Sequence, residues 1–317
     1  MPATKPEPAT GKGRPNRGIW LRWLLLSLAG LTLALALLIF LRYNPEPSYR
    51  GRPFSQWCAL QAELAQKAGS EAQSREAIDA IRQIGTNGLP ILIRSLRDNP
   101  FSQKLRGIAD RLPGGFSQNR LLRLALAADR VEPTPVFQIL GLQASPAVPE
   151  LTALLLATNR PDVASEAAAC LTAIGPAGVP ALVAALQDPR QPCCRFAAFE
   201  FSSADPAIFG TNATLAVPAL AQIAVDTNSE LARLAIRALG RINRQPQITV
   251  PALIVALHST DNMVRYDAAR SLMWVGSPAQ AAVPALLQCF NDPDWGVRSI
   301  TTNALLSIAP QALEIPP

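Results

Sequence analysis

The sequence repeats one short pattern six times: a leucine or valine, then a proline, then an apolar run with helical spacing. The six prolines of this pattern are Pro90, Pro149, Pro180, Pro218, Pro251 and Pro284. From Pro149 onward they are spaced 31, 38, 33 and 33 residues apart. A period in the thirties predicts an array of repeats, in which each unit buries its apolar face against its neighbours. Such an array favours binding along an extended surface.

The segment from Val250 to Gly276 indicates how one unit is built. Pro251 is predicted at the first helical position, where its missing N–H breaks no hydrogen bond. A turn with Asp261 or Asn262 as the candidate cap leads to a second helix, whose inward positions recur at helical spacing. Gly276 is expected to end that helix. The unit is therefore predicted as helix, turn, helix and break, and the fold class as all-α.

The consensus of the units reads V-P-A-L-x-x-A-L-x-D, followed by V-R-x-x-A-x-x-A-L-x-x-I-G, and it resembles the HEAT-repeat family. Segments 250–276 and 283–309 match it best, whereas Phe199 to Ser203 departs from it in the Val179 unit. The resemblance covers residues 70–315 and implies a right-handed α-solenoid of antiparallel helix pairs, a HEAT-like superhelix. The lead-in at 49–57 is similar to that of membrane-anchored bacterial HEAT-repeat proteins.

In this family, an Asp of the inter-helix turn and an Arg of the second helix form a ladder of hydrogen bonds. By position, the resemblance implies the rungs Asp188/Arg195, Asp226/Arg233, Asp261/Arg265 and Asp292 or Asp294/Arg298. Ser165 stands near the Arg position of the Val148 unit, so we expect the ladder to be interrupted there. These charges are expected to hold the fold together and not to form a binding site.

Five segments are predicted along the chain. They are a disordered basic tail at 1–18, a transmembrane anchor at 19–41, a linker at 42–54, degenerate helical repeats at 55–147 and regular HEAT repeats at 148–317. Proline, glycine and basic residues predict the disorder of the tail, and three prolines indicate that the linker is stiff.

The anchor is predicted from an uncharged run that ends at Leu41. About 20 apolar residues span the hydrocarbon core of a membrane, and Trp20 and Trp23 match interfacial aromatics. A cleaved signal peptide is the alternative, but the run is long for one and no small-residue cleavage site follows. Lys and Arg are more numerous before the span than after it, which favours a cytoplasmic N-terminus and a periplasmic or other extracytoplasmic solenoid. The reverse orientation would place the solenoid in the cytoplasm.

The formal net charge of +6 is unevenly distributed. Residues 42–130 sum to +6 and residues 131–317 to −4. Because the regular repeats are slightly acidic, they lack the basic footprint of a nucleic-acid-binding protein, and no nucleic-acid partner is expected.

Few residues of this chain suit catalysis. His258 is the single histidine and lies in a predicted loop, so a HEAT-type hydroxylase with His-Glu metal pairs is excluded by count. Zinc is also disfavoured, because the five cysteines form no CxxC pair. Their odd number argues against a disulfide framework but leaves a single bridge open. We therefore predict no catalytic, cofactor-binding or metal-binding residue, no small-molecule substrate and no enzymatic activity.

Aromatic and arginine side chains are the commonest anchors of protein interfaces. Six such residues on or beside second helices are the interface candidates: Arg237, Arg241, Tyr266, Arg270, Trp274 and Trp295. The predicted function is a non-enzymatic, membrane-anchored scaffold that binds a protein partner. The alternative is an accessory or lyase-like HEAT protein that acts on a cofactor-bearing partner.

Overall fold

The computed structural model describes residues 46–66, 71–97, 131–157, 160–226 and 229–313. The predicted basic tail and membrane anchor, and residues 98–130 of the predicted degenerate repeats, lie outside these residues. The described part forms a stack of helix pairs, as the repeat spacing predicts. Its helices are α1 (Phe54–Gln66), α2 (Glu71–Ile84), α3 (Leu89–Leu96), α4 (Pro133–Leu140), α5 (Val148–Leu156), α6 (Pro161–Ile174), α7 (Val179–Ala185), α8 (Pro192–Ser203), α9 (Pro206–Phe209), α10 (Val217–Ala224), α11 (Ser229–Ile242), α12 (Pro246–Ala256), α13 (Asn262–Val275), α14 (Val283–Gln288) and α15 (Trp295–Ile308).

The helices form two layers. The second helices, α2, α4, α6, α8, α11, α13 and α15, pack side by side in chain order. The shorter first helices, α5, α7, α10, α12 and α14, form the other layer, and each packs against the second helix of its own unit. Leucine and alanine fill the space between the layers, as at Leu182, Leu220 and Leu253, which are fully buried. Each such leucine contributes about 2 kcal/mol of hydrophobic free energy.

A small hairpin opens the described part of the chain. Its strands β1 (Ser48–Tyr49) and β2 (Arg52–Pro53) pair antiparallel, and Arg50 and Gly51 adopt positive φ in the turn between them. The Trp57 indole of α1 donates a hydrogen bond to the Tyr49 carbonyl over 3.2 Å, and the Arg52 guanidinium lies 4.4 Å from the Trp57 ring centre. The second half of the segment predicted as a linker is therefore folded against α1 and α2.

The longer spacing of 38 residues has a structural cause. After α8, the chain inserts the extra helix α9, which has no counterpart in the other units as far as the structure describes them. Phe209 of α9 is fully buried, and its ring packs 4.8 Å from that of Phe201 on α8. The segment that departs from the consensus thus provides an aromatic contact for the inserted helix.

Pro251 does not stand at the start of its helix, which contradicts the sequence prediction. Helix α12 begins five residues earlier, at Pro246, and Pro251 lies inside it. The residues before it, Asn243 and Gln245, adopt positive φ, and this sharp turn lets the helix begin directly after α11. In the units at Val148, Val179, Val217 and Val283, the proline does lie in the first helical turn, as predicted.

Among the described residues, two helical stretches are apolar and long enough, by length and composition alone, to cross a membrane. They are Pro133–Leu156 and Pro206–Ala224. Each consists of two α-helices joined by a 3-10 turn, and each packs within the repeat stack. Neither stretch includes a residue of the anchor predicted at 19–41.

Candidate interaction surface

The predicted ladder of charges exists, but its partners differ from the prediction. Arg265 forms a bidentate ion pair with Asp292 of the next unit, and not with Asp261. Its Nε and Nη2 donate to the two carboxylate oxygens at 2.6 and 2.9 Å. Arg233 pairs with Asp267, also in the next unit, at 2.8 Å. The sequence places each Asp near an Arg of its own unit, but the arginine side chain is long enough to cross to the neighbouring unit.

The two remaining predicted rungs are also replaced. Arg195 pairs with the exposed Glu230 of the next unit at 3.2 Å, while Asp188 pairs with Arg190 in its own turn. Arg298 donates to the backbone carbonyls of Asp292 and Pro293, at 2.6 and 3.0 Å.

The Arg265–Asp292 pair is the best shielded of these contacts. Both side chains are largely buried, and Arg265 also donates to the carbonyls of Ser259 and Thr260 at 2.8 and 3.1 Å. The Arg265 guanidinium holds the pKa of Asp292 below its usual range. Asp261 instead caps α13 by accepting a hydrogen bond from the Met263 N–H at 2.8 Å.

Helices α11 and α13 lie in close contact at Gly240. A Cβ atom at this position would lie 2.6 Å from both Cβ and Oγ of Ser271, and 2.8 Å from its Cα. The Ser271 hydroxyl donates to the Ile236 carbonyl across the same contact, at 3.0 Å. This close approach brings the polar stripes of the two helices side by side.

A buried carboxylate lies between these stripes. Asp267 is 2% exposed, and its two oxygens each accept a hydrogen bond of 2.8 Å, one from Arg233 on α11 and one from Arg270 on α13. The two arginines are about 30% exposed. One carboxylate thus orients two guanidinium groups, and one positive charge of this trio remains uncompensated.

Three of the candidate residues form a single row on α13. Tyr266, Arg270 and Trp274 are four residues apart, so they lie on one face of the helix. The Arg270 guanidinium lies 5.6 Å from the Tyr266 ring centre and 5.0 Å from that of Trp274. Trp274 is 38% exposed, whereas Tyr266 is half-buried. The rings and Asp267 together fix the position of Arg270 at the surface.

Two more candidates lie on α11, beside this row. Arg237 follows Arg233 by one turn, and its Nε donates to the Arg233 carbonyl at 3.4 Å. Arg241 donates to the carbonyls of Ser203 and Ala204 at the end of α8, at 3.5 and 3.0 Å. Within the part of the chain that the structure describes, neither Arg237 nor Arg241 pairs with a carboxylate.

The sixth candidate, Trp295, begins α15 and is 74% exposed. Its neighbour Gly296 lies against Tyr266, since a Cβ there would be 3.7 Å from the Tyr266 ring. Asn262 of α13 donates to the helix-capping Asp294 at 2.7 Å. The structure therefore places all six candidates on three adjacent second helices.

The charge of the second-helix face changes along the stack. Helices α6 and α8 carry Glu166 and Glu200, and burial together with the Glu166 charge raises the pKa of Glu200. Helices α11 and α13 carry the arginines. The corresponding surface of α15 carries neutral residues, such as Asn303 and Ser307.

Sequence reasoning missed Asp267 and Phe199. Asp267 adjoins Ala268, an inward position, but the sequence has no signal that separates this residue from an ordinary surface charge. Phe199 on α8 is 53% exposed. The Phe199 carbonyl accepts a hydrogen bond from the Ser203 hydroxyl, and the Ser203 carbonyl accepts one from Arg241. A large exposed aromatic side chain therefore lies on the helix next to α11, which carries Arg237 and Arg241.

The thiols of this protein lie in the core. Cys58, Cys170, Cys193, Cys194 and Cys289 are free and buried. Burial raises the pKa of Cys58, Cys170 and Cys194 to about 12, and it raises the pKa of Cys193 and Cys289 as well. The nucleophilic thiolate form is thus disfavoured at neutral pH. Among the described residues, no group of three or more His, Cys, Asp or Glu is arranged to hold a metal ion.

We expect all five thiols to resist a thiol reagent such as 5,5′-dithiobis(2-nitrobenzoate) at pH 8 in the folded protein, because each is buried and protonated. In guanidinium chloride all five should react rapidly. A thiol that reacts at the same rate in both states would contradict the burial described here.

The sequence comparison agrees with this architecture. A family model described as HEAT repeats matches residues 217–306, which include α10 to α14 and most of α15. Residues 217–306 are HEAT repeats. No curated protein sequence matches the chain. The family match contains the Arg233–Asp267 and Arg265–Asp292 contacts, so both join HEAT repeats.

Several solved structures are similar to this chain in their helical arrangement. An engineered protein is 20% identical, with a TM-score of 0.44, and the alignment covers 80% of this chain and 95% of that one. A designed armadillo repeat protein in complex with the peptide (KR)4 is 16% identical, with a TM-score of 0.42 and coverages of 80% and 98%. Human deoxyhypusine hydroxylase in complex with glycerol is 20% identical, with a TM-score of 0.32 and coverages of 80% and 96%.

Proposed function

We propose that this protein is a non-enzymatic, membrane-anchored HEAT-repeat scaffold that binds a protein partner through its second-helix face. The observation that carries the proposal is the row of Tyr266, Arg270 and Trp274 beside Arg237 and Arg241. Arginine and tryptophan dominate the binding energy of protein interfaces, and here they are oriented by their neighbours and exposed together.

The fixed orientation of these side chains is a second argument for binding, beside their residue types. Asp267 and two aromatic rings restrain Arg270, and the Arg233 carbonyl restrains Arg237. A side chain that is already ordered loses less conformational entropy when a partner binds. The row is therefore better suited to recognition than a set of freely rotating surface arginines.

The membrane part of the proposal rests on the sequence. Residues 19–41 form the single-pass anchor, with the N-terminus in the cytoplasm and the repeats outside it. Alkaline phosphatase fused after Pro317 is expected to be active, because that enzyme folds only outside the cytoplasm. An inactive fusion, together with fluorescence from a cytoplasmic reporter at the same position, would reverse the orientation.

Site-specific photocrosslinking tests the binding face in the full-length chain, in the cells from which it comes. A benzophenone amino acid replaces Arg237 or Trp274 on the second helices, and in matched controls it replaces Gln222 or Val255, which are exposed on the first helices α10 and α12. We expect a protease-sensitive adduct from the first two positions only. Adducts from the first-helix positions alone, or from none of the four, would contradict the proposal.

A further inference from the structure

We propose that the segment bound by this face is acidic and extended, and that it carries an apolar side chain near its carboxylates. This inference rests on the proposed protein-binding function and specifies the chemistry of the partner. We call the residues that would form the site the Arg–Trp patch: Arg237, Arg241, Tyr266, Arg270 and Trp274.

The charge of the patch is the first argument. Asp267 compensates one of the two guanidinium groups that it contacts, and it is too buried to compensate anything further. Arg237 and Arg241 form their described hydrogen bonds with backbone carbonyls, which carry no net charge. The patch and its supporting residues therefore hold about three uncompensated positive charges on two adjacent helices.

The donor geometry is the second argument. A guanidinium group carries five N–H donors in a planar fork that matches a carboxylate. Arg270 uses one terminal nitrogen on Asp267, and Arg237 uses its Nε on the helix backbone, so terminal nitrogens of both groups are left for a ligand. The contact between Gly240 and Ser271 holds the two helices that carry them close together. Two carboxylates of one extended segment could thus bind across the helix pair.

Apolar groups flank the arginines on both sides. Trp274 is partly exposed on α13, and the exposed Phe199 lies on α8, whose last turn Arg241 contacts. A ligand of carboxylates alone would leave these rings in water. An acidic segment with an interspersed apolar residue would cover them and exclude water from its own ion pairs.

The surroundings favour a short acidic segment over a long polyanion. Residues 131–317 carry a net charge of −4, and Glu166 and Glu200 lie on the second helices that precede the patch. A nucleic acid that followed the row of helices would meet these carboxylates, whereas a peptide segment of a few residues would bind within the patch alone.

Fluorescence anisotropy tests the inference with the full-length chain in a non-ionic detergent. The probe is a fluorescein-labelled peptide, (Glu-Phe-Glu-Gly)3, and the charge-reversed (Lys-Phe-Lys-Gly)3 and a labelled oligothymidylate are its comparisons. We expect the acidic peptide to bind best and its affinity to fall as salt rises from about 50 to about 300 mM. Arg237→Glu is expected to weaken binding at least about tenfold, because it reverses one charge at the centre of the patch.

Two further variants control this result. Trp274→Ala should also weaken binding, by about threefold to tenfold, whereas Arg94→Glu on the distant helix α3 should leave it unchanged. Arg237 and Trp274 are partly exposed, and circular dichroism checks that both variants fold. The inference is overturned if the acidic peptide does not bind, if Arg94→Glu weakens binding as much as Arg237→Glu, or if the oligothymidylate binds more tightly. Adducts at Arg237 and Trp274 without binding of the acidic peptide would overturn this inference and leave the proposed scaffold function intact.

Discussion

Asp267→Ala is expected to lower the free energy of unfolding by about 3 kcal/mol, which is a large fraction of the stability of a typical domain. The carboxylate is 2% exposed and accepts hydrogen bonds from Arg233 and Arg270 at 2.8 Å each. Its removal leaves two like charges close together and opens a small polar cavity between α11 and α13. Because both arginines are about 30% exposed and can turn toward water, we place the effect at the lower end for a broken buried pair.

Chemical denaturation followed by circular dichroism measures this change, and Glu230→Ala serves as the matched control. Glu230 also pairs with an arginine across two second helices, but both partners of that pair are mostly exposed. Exposed pairs contribute less than about 1 kcal/mol, so the control should stay close to the unmodified protein. Equal losses from the two variants would mean that Asp267 is not the shielded link described here.

Gly240→Ala is expected to be the second large effect, with a loss of about 2 to 3 kcal/mol. Alanine is the better helix former by about 1 kcal/mol, so helix propensity alone predicts the opposite sign. The new methyl group, however, would lie 2.6 Å from the Ser271 Cβ and 2.8 Å from its Cα, and backbone atoms cannot rotate away. Helices α11 and α13 must therefore move apart.

A double-mutant cycle with Ser271→Gly isolates this contact. Ser271→Gly alone should destabilise, because it removes the hydrogen bond to Ile236 and places glycine within a helix. In the double variant the new methyl group gains space, so the combined loss should be smaller than the sum of the two single losses. Additive losses would show that the two helices do not meet at this point. The same variants are expected to weaken peptide binding at the Arg–Trp patch, because its residues on α11 and α13 are held together by the contact between Gly240 and Ser271.

The repeat pattern of the sequence predicted the helix pairs because each signal is local. The proline in the first turn, the polar turn and the terminal glycine act within their own unit, and Gly276, for example, ends α13 with a φ of 71°. Side-chain partners between units were harder to predict. The sequence places Asp261 closest to Arg265, but the structure pairs Arg265 with Asp292, 27 residues away. Linear spacing cannot distinguish these partners, because the stacking of units brings both within reach.

Irregular units were missed for related reasons. In the other units, the proline of the pattern lies in the first turn of its helix. In the Val250 unit, the turn at Asn243 and Gln245 lets α12 begin earlier, at Pro246. Asp267 was missed because a charge next to an inward alanine is indistinguishable from a surface charge until the facing helix is known. The aromatic and arginine composition of the candidate surface was available from helical spacing within α11 and α13. The proximity of those two helices at Gly240 was not.

The order of charges along the second helices gives this surface a direction. Carboxylates of Glu166 and Glu200 come first, the arginines of α11 and α13 follow, and neutral side chains of α15 come last. An elongated partner with a basic end and an acidic end would meet opposite charges in one orientation and like charges when reversed. The stack would then select the direction in which a partner chain binds, in addition to the composition of that chain.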